Sequence, residues 1–299
     1  MVDRRCKRGL FAVSAVSRFM PPVLTTTLLI GLLAGPARAD EACGRAGAET
    51  VAVAGVEPRL ELRLRDGRLL RLAGLDPALS TPTVPDREER ALDTFAALLA
   101  GVSIGIRPLS TQPDRWGRIV VLAFAMDGAM GEQPGGLAGA AIAAGLGRYL
   151  AEPAAHGCRP SLVAAEDVAR TAKLGLWGDP YYGLLAVDDR AGFAERAGTL
   201  VVVEGRVASI QTGPYRTKLI LSARGSGSHG GQTLCASILP RTMKNFEASG
   251  VHVSSLIGQT LRLRGLLDTR FGPQIELATS DDLDVIDGGS TSAAAAGSK

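Results

Sequence analysis

The sequence predicts a mainly β protein with helices, an α+β fold laid out as two consecutive small units. Three observations carry that reading. Leucines alternate with charge in short runs broken by turn dipeptides, apolar helical stripes lie between those runs, and strand-like runs begin afresh after a composition shift at Pro180. At 299 residues the chain has room for two modest domains once a leader is set aside.

Residues 1–39 read as a signal peptide. Arg4, Arg5, Lys7, Arg8 and Arg18 form a basic n-region, "VLTTTLLIGLLAG" (23–35) an apolar core, and "ARA" (37–39) a small-x-small cleavage motif. A membrane anchor is the alternative, but the apolar run falls short of the roughly 20 residues of a spanning helix. Export to the periplasm or the medium is expected, with no transmembrane segment in the mature chain. Of 33 basic and 30 acidic residues, six basic and one acidic belong to the leader, which leaves 27 against 29 and a net charge of −2. The mature chain therefore lacks the overall positive footprint of a protein living on nucleic-acid backbone, and any such binding must be local. With Cys6 in the leader, Cys43, Cys158 and Cys235 remain, without a CxxC pair for structural zinc. In an oxidising compartment the alternatives are a Cys43–Cys158 disulfide or three unpaired thiols.

Residues 40–50 are a small, polar lead-in. Leu60, Leu62 and Leu64 alternate with charge, and Asp66-Gly67 marks a hairpin turn before Leu69. "VPDREERALDTFAALLAG" reads as a helix with early acids, a Leu92, Phe95, Leu98 and Leu99 stripe, and Gly101 as its stop. "VSIGIRPL" and "GRIVVLAFAMDG" read as strands, and "GGLAGAAIAAGLGRYL" and "SLVAAEDVARTAKLGLWGD" as helices. These make up a first unit over 51–182. A linker over 183–196 follows, then a second unit over 197–287 and a low-complexity tail over 288–299, expected to be disordered. In the second unit "TLVVVEGRVASI", "TKLILSA" and "TLCASIL" are strands, "PRTMKNFEASG" a helix, "QTLRLRGLLDTRFGPQIELA" a hairpin, and "LDVID" a last strand. Three strands, a helix, then two or three strands is the element order of an OB-fold.

Four pieces of the first unit, "RLAGLD" (71–76), "DRWGRIVV" (114–121), "AAGLGRYL" (143–150) and "AAEDVARTAKLGLWGD" (164–179), resemble the thermonuclease, or staphylococcal-nuclease-like, family in order and spacing. The resemblance spans nearly all of 50–182 and implies a nuclease-type OB barrel with three helices. The second unit more loosely resembles the OB-like module appended in some exported bacterial relatives. The family cleaves DNA or RNA with Ca²⁺. Two arginines hold phosphate oxygens, carboxylates hold the metal, and a glutamate handles the attacking water. By resemblance the arginines are Arg71 and Arg118, and Asp76 is a metal carboxylate.

Two departures bear on activity. Leu79 stands where the family pattern places its glutamate, and "EPRLE" (57–61) stands where its D-G-D-T turn should fall, so two of three carboxylate positions are lost. Glu57, Glu61 and Glu88, with Glu89 beside it, are the candidate substitutes. A plain structural role is the alternative for the retained residues, as Arg71–Asp76 and Arg118–Asp114 ion pairs pinning loops. The series Arg59, Arg63, Arg65, Arg68 and Arg71 offers either a phosphate-binding strand face or a solvated one. Trp116 is a candidate base-stacking residue. "GSGSHG" (225–230) has no helix after it and reads as a barrel loop; His156, His229 and His252 read as loop histidines. Three functions follow as expectations. The first is phosphodiester binding with weak or lost Ca²⁺-dependent hydrolysis. The second is an active endonuclease with substitute carboxylates, and the third an OB-type module for a protein partner.

Overall fold

A computed structural model describes residues 42–127, 133–223 and 234–286. The expected leader, the tail, and the GSGSHG loop with His229 lie outside the described residues. The fold is mixed α+β, mostly sheet, with a closed five-strand barrel and five α-helices among the described residues. No helix among them is long and apolar enough to cross a membrane.

The first unit opens with β1 (Glu49–Val51) and β2 (Val53–Glu57), then β3 (Glu61–Leu64), β4 (Leu69–Leu72) and β5 (Leu75–Pro77). The Asp66-Gly67 turn closes the β3–β4 hairpin, with Gly67 at φ 89°. Helix α1 (Arg87–Leu99) buries Ala91, Phe95 and Leu99 and ends before Gly101 at φ 74°. Strands β6 (Ile104–Pro108) and β7 (Arg118–Ala125) complete a sheet of order β1-β6-β7-β4-β3-β2. Its two edge strands, β1 and β2, are separated by Ala52 alone, so the sheet curls back on itself. Leu62, Leu64, Leu70 and Leu72 point into its core, as the alternation requires.

Helices α2 (Gly136–Ala143) and α3 (Arg159–Thr171) pack beside this sheet. The expected helix over 135–150 stops at Ala143, and β8 (Gly147–Tyr149) pairs with β5 instead. Gly145, at φ 71°, is the reason: a Cβ there would lie 2.3 Å from the Leu174 carbonyl oxygen, so the helix breaks against the backbone of the next segment. Cys43 and Cys158 form a disulfide that ties the lead-in to the start of α3.

The second unit begins earlier than the sequence indicates. The expected linker carries β9 (Leu185–Ala186) and α4 (Arg190–Glu195), and Leu185, Val187 and Phe193 are buried in the second core. Its Asp-Arg-rich surface hides three widely spaced apolar anchors, too few to set a period. Then come β10 (Leu200–Thr212), β11 (Thr217–Ser222), β12 (Cys235–Ile238), α5 (Pro240–Ala248), β13 (Thr260–Asp268), β14 (Gln274–Leu277) and β15 (Leu283–Val285). The pairings run β10–β11–β12–β14–β13 and return to β10, which closes the barrel. This order, with α5 between the third and fourth barrel strands, is consistent with an OB-like barrel.

Candidate functional site

Arg71 and Arg118 sit on adjacent parallel strands, with Leu69 opposite Arg118 and Arg71 opposite Val120. Both line one cavity of about 340 Å³, shared with Arg59, Glu61, Asp76, Asp114, Trp116 and Glu152. The structure thus brings together the residues singled out as Arg71, Arg118 and Asp76. It also shows what occupies them.

Arg71 makes a two-pronged contact with Glu152, at 2.9 and 2.7 Å, and Glu152 also accepts from the Gly74 N–H at 2.7 Å. Arg118 donates to Glu61 at 2.8 Å and to Asp114 at 2.9 Å. Asp76 accepts from Arg148 Nε at 2.8 Å, and Arg148 reaches on to the Leu200 carbonyl of the second unit, also at 2.8 Å. Of the two ion pairs considered from sequence, Arg118–Asp114 forms, whereas Arg71 and Asp76 each take a different partner. Paired guanidinium–carboxylate contacts of this kind are charge-assisted and geometrically specific.

The Asp114–Gly117 turn explains how Arg118 is held. Gly117, at φ 76°, closes a turn whose N–H reaches the Asp114 carbonyl at 2.9 Å, and the Asp114 side chain accepts from the backbone of Trp116 and Arg118. Burial opposes ionisation of Asp114. The Arg118 side chain and the Arg118 and Trp116 N–H groups outweigh it together and hold the pKa down to about 2.

The substitute carboxylates divide. Glu61 is buried and lines the cavity with Asp76, but Arg118 holds it. Glu57 pairs with Arg63 at 3.2 Å, away from the cavity. Glu88 accepts from the Ser80 N–H at 2.9 Å and so secures the loop before α1. Leu79 is exposed, its backbone pinned in both directions by the Tyr182 hydroxyl. Among the described residues, no three His, Cys, Asp or Glu side chains are grouped to hold a metal. Calcium takes six to eight oxygen ligands. Here all four cavity carboxylates are turned to guanidinium groups, and this donor set does not fit that ion.

The arginine series does not form one face. Arg63 pairs with Glu57, Arg68 with Asp66 and Glu49, and Arg71 with Glu152. Trp116 is 58% exposed at the cavity mouth, with the Arg115 and Arg118 guanidinium carbons 3.8 and 4.5 Å from its ring centre. His156 contacts Asp281, across in the second unit, at 2.8 Å. Sequence reasoning missed Arg148 and Glu152. They flank Leu150 at alternate positions in "RYLAE", a strand signal hidden by reading that stretch as the end of a helix.

Comparison of the sequence with protein-family profiles and with curated proteins finds no match.

Proposed function

We propose that this is an exported thermonuclease-like barrel joined to an OB-like barrel, which binds nucleic-acid phosphodiester groups and has weak or lost Ca²⁺-dependent hydrolysis. The second sheet supports the architecture, since it closes on its first barrel strand and carries a helix between its third and fourth barrel strands, and the first sheet is a curled six-strand sheet with helix α1 between β4 and β6. The disulfide supports export to an oxidising compartment. One observation carries the functional reading: Glu152, Glu61 and Asp114 occupy the two arginines, and Arg148 occupies Asp76. A hydrolytic site needs those arginines facing substrate oxygens and a carboxylate free to take a proton from water. With every cavity carboxylate among the described residues held by a guanidinium, the general-base contribution, about 10²–10⁴-fold, is absent.

The test is cleavage of single-stranded and duplex DNA by the purified protein, with calcium and with chelator. At most feeble calcium-stimulated cutting is expected. Robust cutting that Arg118→Ala abolishes would establish the active-endonuclease alternative. A second reading, a binding module for a protein partner, draws on a cavity of about 810 Å³ on the second barrel, lined in part by Arg216, Leu266, Arg270 and Phe271. Leu266 and Phe271 are exposed there.

A further inference from the structure

The cavity has a floor and a mouth, and they differ in charge. At the floor, Arg71, Arg118 and Arg148 meet Glu61, Asp76, Asp114 and Glu152, so three cations face four anions, all in ion pairs. At the mouth, Arg59 lines the opening, and Arg115 lies against Trp116. Both are exposed, and neither has a carboxylate partner among the described residues. Those two guanidinium groups turn an excess of one negative charge into an excess of one positive, placed where solvent and a ligand meet.

Arg59 is held there at a cost. It and Leu60 adopt left-handed backbone, at φ 64° and 56°. Neither residue type favours that conformation, which costs roughly 1–2 kcal/mol per residue. Leu60 is fully packed in the first core, which fixes the turn and leaves Arg59 on the rim. The turn is the one where the sequence lacks the expected aspartates, so an arginine stands where the resembling family places metal-binding acids.

We propose that Arg59, with Arg115 beside Trp116, binds the phosphodiester backbone of single-stranded nucleic acid without any divalent cation. Arg59 supplies the positive charge at the turn where a carboxylate-held metal would otherwise supply it. The inference rests on the phosphodiester-binding reading above and adds the residues and the metal independence. Guanidinium groups suit the task because they donate fixed pairs of hydrogen bonds to phosphate oxygens and remain charged at all relevant pH values.

The experiment is fluorescence anisotropy of a labelled oligo(dT) with the purified full chain, in EGTA and in millimolar calcium, across a salt series. Equal affinity in both buffers is expected. Arg59→Ala should weaken binding roughly tenfold, in line with loss of one charge-assisted hydrogen-bonded contact, and lower the salt slope by about 0.7. Arg59→Gly should weaken binding equally while raising the melting temperature, because glycine accepts the left-handed backbone; this separates a lost contact from a lost fold. Arg63→Ala, whose guanidinium is held by Glu57, should bind as the unaltered protein does. Affinity that requires calcium, or that survives both Arg59 substitutions, overturns the inference and leaves phosphodiester binding standing. No binding even at low salt overturns both.

Discussion

Two arginine–carboxylate clusters in this chain use the same groups to opposite effect. At the cavity floor, Asp114 is partly solvated and takes hydrogen bonds from two backbone N–H groups and from Arg118, which hold its pKa down to about 2. At the seam between the units, Glu166 and Arg264 face each other with side chains only 2% and 6% exposed. There burial outweighs the arginine and pushes the Glu166 carboxyl up. Nearby Asp282 is raised to about 6, also by burial, against the opposing Ala278 and Thr279 N–H groups. Donors and solvent decide the outcome: the floor stabilises its charges, whereas the seam tolerates them.

The largest expected effect therefore lies at the seam. Glu166→Ala removes the close partner of buried Arg264 and leaves it only the longer Asp284 contact at 3.7 Å, and should cost about 3–5 kcal/mol in urea unfolding. Replacing both partners, as Glu166→Leu with Arg264→Met, should recover most of that loss. Truncation at the floor, Glu152→Ala, should cost less, about 1–2 kcal/mol, since water reaches both Glu152 and Arg71. If the two truncations cost the same, the contrast between the clusters is lost.

A pH-dependent effect follows from Asp282. Its folded pKa, about 6, exceeds the ordinary 3.8, so the folded state keeps the proton that the unfolded state releases. Its contribution is fully present below about pH 4 and is lost as pH rises through about 6, on the order of 3 kcal/mol. Asp114 has the reverse sign: its contribution is present above about pH 4 and is lost as pH falls through about 2. Unfolding measured from pH 4 to 7 should show a decline that Asp282→Asn flattens. An unchanged pH profile in that variant would remove Asp282 from the seam's titration.

Much of the first cavity was legible because its residues sit in compact motifs. Arg71 and Asp76 share "RLAGLD", and Asp114 and Arg118 share a turn that requires Gly117. Leu60 and Leu79, at positions where the resemblance would place acids, were legible for the same reason. Partners contributed from a distance were not. Glu152 lies 81 residues from Arg71, and Arg148 lies 72 from Asp76, so no local spacing joins them. The seam was equally hidden, because Glu166 reads as an ordinary helical acid until Arg264 of the second barrel is placed against it. The 183–196 segment was hidden for a related reason: Leu185 and Phe193 are buried in a core built mostly from strands later in the sequence.

Calorimetric titration of calcium into the purified protein bears most directly on the cavity. Carboxylates already held by Arg71, Arg118 and Arg148 predict no saturable uptake at sub-millimolar calcium. A saturable site in that range, abolished by Asp76→Asn, would show that the acids are free to gather around a metal and that the guanidinium groups do not own them.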